Sequence, residues 1–283
     1  MKKTLLAIAL MASMVGVSAK TVVTVNGTKI DSAVIDRQVA DLTKQSNGQV
    51  KDSPELRKQL TNNAVVRTVI IQEAKKRKLD SDKEYKEFIA QAQADADKRG
   101  VSKEKNFKQD FEYFKDSALV QAFSIDVLKK NPVTEQDIRQ EYNQFSSFYK
   151  GSQEIQLAEI VTRSEEDANK ALAELKKGKK FADVAKQHTI DEVGKKNGGM
   201  HQGYVNTKDL PPELGNAVGS LKKGQYTQQA INGGNIWAIF SVQDTRPAQI
   251  PTFEQVKDAL KAQLEGNRVD QAVAELLQKA SIK

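Results

Sequence analysis

The chain of 283 residues contains no cysteine and only two histidines, His188 and His201. Without thiols it has no disulfide framework, no thiolate nucleophile and no cysteine that could carry a lipid. A Ser-His-Asp triad would need one of the two histidines, and no serine stands in the Gly-x-Ser-x-Gly pattern of hydrolases. The spacing of His188, His201 and Asp191 matches no common metal motif. Phosphate-loop and dinucleotide fingerprints are also absent, so we predict no metal and no cofactor.

Long apolar runs are missing except at the N-terminus. The segment "MKKTLLAIALMASMVGVSA" starts with Lys2-Lys3, continues as an apolar run and ends in small residues. This pattern predicts a secretory signal peptide over residues 1–19, cleaved after Ala19. The run is shorter than the roughly 20 residues that a membrane-spanning helix needs. We therefore expect a soluble, periplasmic protein with no transmembrane segment.

Aromatic residues are scarce, at 6%, whereas 29% of residues are charged and the formal net charge is +7. A basic chain could bind nucleic acid. Here, however, the lysines are interleaved with Glu, Asp and Gln at helical spacing, which is typical of solvated helix faces. We therefore predict a helix-rich protein that does not bind nucleic acid.

Apolar periodicity divides the chain after the signal peptide into three parts. Residues 20–150 begin with a hairpin around Asn26-Gly27 and continue as helices, one of which starts at Ser53-Pro54; residues 146–152 form a polar linker. Residues 153–246 mix strands with short helices. Residues 252–283 carry one long amphipathic helix, which has too few neighbours to be buried alone, so we expect it to pack on the N-terminal helices. The sequence leaves open whether it docks in its own chain or is swapped within a homodimer.

The middle part contains an ordered set of motifs. "EIQLAEIVT" (154–162) predicts a strand, 165–177 a helix that ends at Lys-Lys-Gly, and "FADVAKQH" (181–188) a second helix. A Gly198-Gly199 loop follows, where glycine supplies a positive φ. "LPPELGNAV" (210–218) predicts a short helix, and "YTQQAI" (226–231) and "NIWAIFSV" (235–242) predict two strands joined by a turn.

This order resembles the parvulin family of peptidyl-prolyl cis/trans isomerases over about a third of the chain. The flanking helices resemble those of the exported SurA-like and PrsA-like chaperones of this family. The resemblance implies an α+β fold: a helical N-terminal chaperone domain, completed by the C-terminal helix, with an inserted parvulin-like domain at 153–246. That domain would hold a small antiparallel sheet flanked by helices.

The resemblance also implies which residues bind substrate. The family's prolyl pocket has apolar residues on the short helix after the glycine loop, and the matching positions are Leu210 and Leu214. An aromatic residue before the last catalytic position matches Trp237.

The catalytic positions match less closely. The family's acidic or thiol position corresponds to Asp191, with Thr189 at the usual serine. The two central histidines of the family are replaced by Glu159 and Ala238, and the loop "GGMHQGY" is one residue longer than usual. The resemblance therefore predicts Asp191, Glu159 and Thr189 as the catalytic group.

Three functions remain open from the sequence. The first is an exported folding factor that binds unfolded exported polypeptides, such as outer-membrane protein precursors, and isomerises X–Pro bonds. The second is a holdase chaperone that uses the parvulin fold as a binding scaffold without turnover, which the missing histidines favour. The third is a surface antigen, for which the sequence offers no specific feature.

Overall fold

The computed structural model describes residues 20–283, and the predicted signal peptide at 1–19 lies outside the described residues. The chain forms two compact units: one contains the residues up to Glu135 together with Lys261–Lys283, and the other contains Gln136–Leu260. Both helices and small antiparallel sheets are present, so the predicted α+β fold class is confirmed. Within 20–283, no helix is long and apolar enough to cross a membrane.

The first unit opens with a two-stranded antiparallel hairpin, β1 (Thr21–Val25) and β2 (Thr28–Asp31). Asn26 and Gly27 have φ values of 46° and 85°, as the two central residues of a tight hairpin turn require, so the predicted hairpin is confirmed. The end of the chain extends this sheet. The N–H of Thr24 donates to the carbonyl of Lys283 at 2.8 Å, and the N–H of Lys283 donates back at 3.0 Å.

Four helices follow the hairpin: α1 (Ser32–Gln45), α2 (Pro54–Lys76), α3 (Lys83–Arg99) and α4 (Phe107–Lys130). The side chain of Ser53 caps α2 by accepting a 3.1 Å hydrogen bond from the N–H of Leu56. Pro54 occupies the first helical position, where its missing N–H has no cost, so the predicted helix start is confirmed.

The second unit contains the remaining elements. Its helices are α5 (Glu135–Tyr149, whose first residue belongs to the first unit), α6 (Glu165–Lys176), α7 (Phe181–His188), α8 (Glu192–Asn197) and α9 (Pro212–Val218). Its strands are β3 (Gln153–Thr162), β4 (Val205–Asn206), β5 (Ile231–Asn232) and β6 (Trp237–Pro247). They form one antiparallel sheet in the order β4-β3-β6-β5.

The last helix, α10 (Phe253–Lys279), contributes its first residues to the second unit and the rest to the first. In the first unit it packs against the core that α2 and α4 build around the fully buried Phe123. Val269, Val273 and Leu276 make this contact. The helix is amphipathic because these apolar residues recur at helical spacing.

The structure differs from the sequence predictions at α5, at α8 and over residues 226–231. Helix α5 continues to Tyr149, through half of the predicted linker. The short helix α8 was not predicted. The predicted strand at 226–231 is wrong for most of its length: Tyr226 makes a single bridge to Ser241, and only Ile231 belongs to β5. The N–H of Thr227 donates to the carbonyl of Phe240 and its hydroxyl accepts from the N–H of Phe240, so this segment touches β6 at one place and then leaves it.

Replacing Leu276 by alanine should lower the free energy of unfolding of the first unit by about 2 kcal/mol, the low end for leucine in a core, because this leucine is only partly buried. Urea denaturation followed by circular dichroism measures the change. Gln278→Ala is the matched control, since Gln278 is exposed on the same helix and should change stability by less than about 0.5 kcal/mol. Equal effects of the two substitutions would contradict the packing of α10 described here.

Candidate active site

The pairing of β3 with β6 sorts side chains onto two faces of the sheet of the second unit. One face is covered by α6 and α7 and forms a closed core around Ile160 and Ile239, both fully buried. The other face carries the buried residues Leu157, Ala238 and Phe240, and partly buried residues of the segment that includes α9 pack against it. We call this second face the α9 face.

The structure brings together two of the three predicted substrate-binding residues. Leu210 and Leu214 are partly buried against the apolar cluster of the α9 face. Trp237 instead packs against the closed core on the other face. Because adjacent residues of a strand point to opposite faces, Trp237 does not share a surface with Leu210 and Leu214.

Phe240 is an apolar residue of the α9 face that sequence reasoning missed. It is 9% exposed and stands opposite Glu159 in the β3–β6 register. Residues opposite each other in an antiparallel pair project to the same face, so Phe240 connects the apolar cluster with the carboxylate of Glu159. Alternation along "AIFSV" could have identified it, since 238, 240 and 242 share a face.

Thr189, one of the predicted catalytic residues, holds the backbone in place. It is 2% exposed, and its hydroxyl accepts a 3.1 Å hydrogen bond from the N–H of Val161 on β3. The next residue, Ile190, donates its N–H to the carbonyl of Val161 at 2.8 Å. These two bonds fix the start of the loop that carries Asp191.

Asp191 and Glu159 line one cleft of about 370 Å³ at the edge of the sheet. Asp191 is the N-cap of α8, and its carboxylate accepts the N–H of Gly194. His201, Met200 and Val193 are among the other residues that line the cleft. Within residues 20–283, no group of three or more His, Asp or Glu side chains is arranged to hold a metal ion.

His201 supplies an imidazole to this cleft. Its Nε2 lies 3.2 Å from Oε1 of Glu159, with side-chain exposures of 42% and 31%. The contact with Glu159 raises the pKa of His201 above its ordinary value; partial burial opposes this effect, and the charge of Asp191 adds to it. Glu159, which the sequence resemblance predicts in place of a family histidine, thus lies beside a different histidine.

The paired glycines are required by the approach of their loop to β3. Gly198 ends α8 with a φ of 73°, and Gly199 has a φ of 78°. The carbonyl of Gly199 accepts the N–H of Glu159 at 2.8 Å, and a Cβ added to Gly199 would overlap the carbonyl oxygen of Glu159. Only glycine fits there, which places the next residues of the loop directly on the strand.

Comparison with known proteins agrees with this architecture. Residues 133–258 match the family model of the PPIC-type peptidyl-prolyl isomerase domain, and residues 3–113 match that of the SurA-like N-terminal domain. A probable parvulin-type peptidyl-prolyl cis-trans isomerase of Bordetella pertussis is 29% identical over 266 residues, which cover 94% of this chain and 93% of that protein. A parvulin-like PPIase of Rickettsia bellii is 28% identical over 67% of this chain and 66% of its own length.

Among solved structures, the peptidylprolyl isomerase PrsA from Bacillus cereus is similar at 20% identity with a TM-score of 0.42, covering 93% of both chains. The parvulin domain of PpiD from E. coli is 32% identical over 35% of this chain and 93% of that domain, with a TM-score of 0.31.

The chain contains a domain of the parvulin (PPIC-type) peptidyl-prolyl isomerase family. In particular, it combines a SurA-like N-terminal domain with a PPIC-type parvulin domain.

Gly199→Ala should destabilise the second unit by about 3 kcal/mol, since it adds an overlap with the backbone of Glu159 to the strain of a positive φ. Gly203→Ala is the matched control: its φ is 75°, but an added Cβ meets no atom within 4 Å. It should cost only about 1 kcal/mol. Thermal or urea denaturation of both variants measures the difference, and equal losses would refute a special role for the approach at Gly199.

Proposed function

We propose that this protein is an exported, periplasmic folding factor that binds unfolded polypeptides and accelerates the cis/trans isomerisation of X–Pro bonds. The observation that carries the proposal is the pair of partly buried leucines Leu210 and Leu214 on the α9 face. They pack against the cluster that contains Phe240, whose partner in the strand register, Glu159, lines the cleft. The domain of the parvulin family supports the reaction. The predicted signal peptide at 1–19 supports export.

Isomerisation of an X–Pro bond requires only that the site stabilise a twisted amide. An X–Pro bond rotates over a barrier of about 18–20 kcal/mol and interconverts over tens of seconds or longer, and no covalent bond breaks. The twisted amide has lost its resonance and is less polar than the planar one. An apolar surface against the proline ring therefore favours the twisted state, because it withholds the water that stabilises the planar state.

The first unit, which we also call the helical unit, offers a separate surface for unfolded chains. Phe88, Phe114, Phe111 and Phe107 form a continuous series of stacked rings, with neighbouring centroids 5.6, 5.7 and 5.2 Å apart. Phe88 is 49% exposed, so this series reaches the solvent. Exposed aromatic groups of this kind bind apolar side chains, and we propose that segments of unfolded exported proteins, including outer-membrane protein precursors, bind here.

The second candidate is a holdase without turnover, and one observation favours it. Ala238, at the position of the family's second histidine, is buried and contributes only a methyl group to the apolar cluster. In that case the parvulin domain would bind proline-containing segments without accelerating their isomerisation.

Leu214→Asn should lower kcat/KM for a short X–Pro peptide by about tenfold or more, because a leucine side chain contributes roughly 1.5–3 kcal/mol when it is buried against a ligand. A protease-coupled or NMR exchange assay with the purified protein measures the rate. Leu214→Met should keep most of the activity, since it conserves the volume and apolar character of the side chain. Suppression of aggregation of an unfolded client should be unchanged in both variants, because the helical unit is untouched.

Trp237→Phe is the second control, since Trp237 lies on the opposite face and its replacement should leave kcat/KM unchanged. If the unaltered protein shows no turnover but still suppresses aggregation, the isomerase function is wrong and the holdase is correct. If Trp237→Phe lowers turnover as much as Leu214→Asn does, the assignment of the substrate to the α9 face is wrong.

A further inference from the structure

His201 is held in place by its backbone. Its N–H donates to the carbonyl of Leu157 at 2.9 Å, Met200 forms a β-bridge with Ala158, and the carbonyl of Gly199 accepts the N–H of Glu159. Three consecutive loop residues therefore lie along the edge of β3 like a short added strand. The backbone that carries the imidazole is thus held by the sheet.

One nitrogen of the His201 imidazole has a partner, and the other is available for a ligand. Nε2 contacts the carboxylate of Glu159 at 3.2 Å, and Nδ1 makes no hydrogen bond within the described part of the chain. Protonated histidine is a donor at both nitrogens, whereas the neutral ring that donates from Nε2 can only accept at Nδ1. The protonated ring therefore has a second N–H available for a ligand in the cleft.

Few other groups of the cleft can donate to a substrate. The carboxylates of Glu159 and Asp191 only accept when they are ionised. The side-chain amide of Asn197 uses one of its hydrogens on the carbonyl of Met200 at 2.8 Å, and Gln202 is the other side-chain amide that lines the cleft. Both amides are neutral and are weaker donors than a protonated imidazole. A peptide with a twisting X–Pro bond needs a donor, because the lone pair of the prolyl nitrogen becomes available once resonance is lost. A hydrogen bond to that nitrogen forms only in the twisted state, which is the condition for lowering the barrier.

We infer that His201, positioned by Glu159, is the hydrogen-bond donor of this site and acts on the X–Pro amide of the substrate as the amide twists. The inference rests on the isomerase function proposed above and adds a residue to it. Glu159 is a positioning residue that also keeps the ring protonated. The imidazole of this site thus comes from the glycine loop, while the strand position that faces it holds the carboxylate.

The protonation state of His201 should make turnover depend on pH. Glu159 on β3 and Asp191 at the start of α8 are the charged groups that face His201, and both favour its protonated form. Lys195 and Glu192 on α8 pair with each other at 2.6 Å. Since the pKa of His201 is raised, the donor is present below that pKa and is lost as the pH increases through it. Turnover should therefore fall as the pH increases above the pKa of His201.

The test combines histidine NMR with isomerase pH profiles of the full chain. With only two histidines in the sequence, His188→Gln assigns the resonances of His201 directly. In the unaltered protein, the decrease of kcat/KM with increasing pH should coincide with the titration of His201. His201→Leu, which removes the donor, should lower kcat/KM about tenfold at pH 6 and abolish this decrease at higher pH. Glu159→Gln should move both the titration of His201 and the decrease of kcat/KM to lower pH.

His188→Gln is also the control, because His188 lies at the end of α7, with its Nε2 3.4 Å from Oε1 of Glu174, and does not line the cleft. It should leave the pH profile unchanged. Equal turnover and equal pH dependence for His201→Leu and the unaltered protein would overturn the inference while the isomerase function stands. Absence of turnover in the unaltered protein would overturn the isomerase function itself, and with it the role of His201.

Discussion

The antiparallel pairing of β3 with β6 is the interaction on which the site depends. It extends from Gln153 opposite Pro247 to Thr162 opposite Trp237, and it decides which side chains share a face. One face is sealed by α6 and α7, so its residues serve the core. The other face holds Phe240 opposite Glu159, and partly buried residues such as Leu210 and Leu214 pack against it. A shift of one residue in this register would exchange the two sets and remove the site.

The glycine loop adds the polar half of the site to this frame. Gly199 lets the loop approach the backbone of Glu159, and the residues after it pair with β3. An aligned strand edge is a stronger constraint than a free loop, because the backbone hydrogen bonds fix the direction of each side chain. The same loop therefore explains both the need for paired glycines and the position of His201.

Much of the fold could be predicted from the sequence, because local signals determine it. The turn at Asn26-Gly27, the cap at Ser53 and the strand at 154–162 are each specified by a few neighbouring residues. The site was harder to predict from the sequence, since it depends on which face a strand residue occupies. Trp237 and His201 show this limit: only tertiary pairing separates the first from the prolyl surface and brings the second to Glu159.

The most direct test of this account is NMR mapping of a proline-containing peptide on the backbone amides of the full chain. We predict shifts at Leu210, Leu214 and His201, with little change at residues of α6 and α7. Shifts confined to Trp237 and the α6–α7 side, or to the helical unit alone, would contradict the assignment of the substrate to the α9 face and its adjoining cleft.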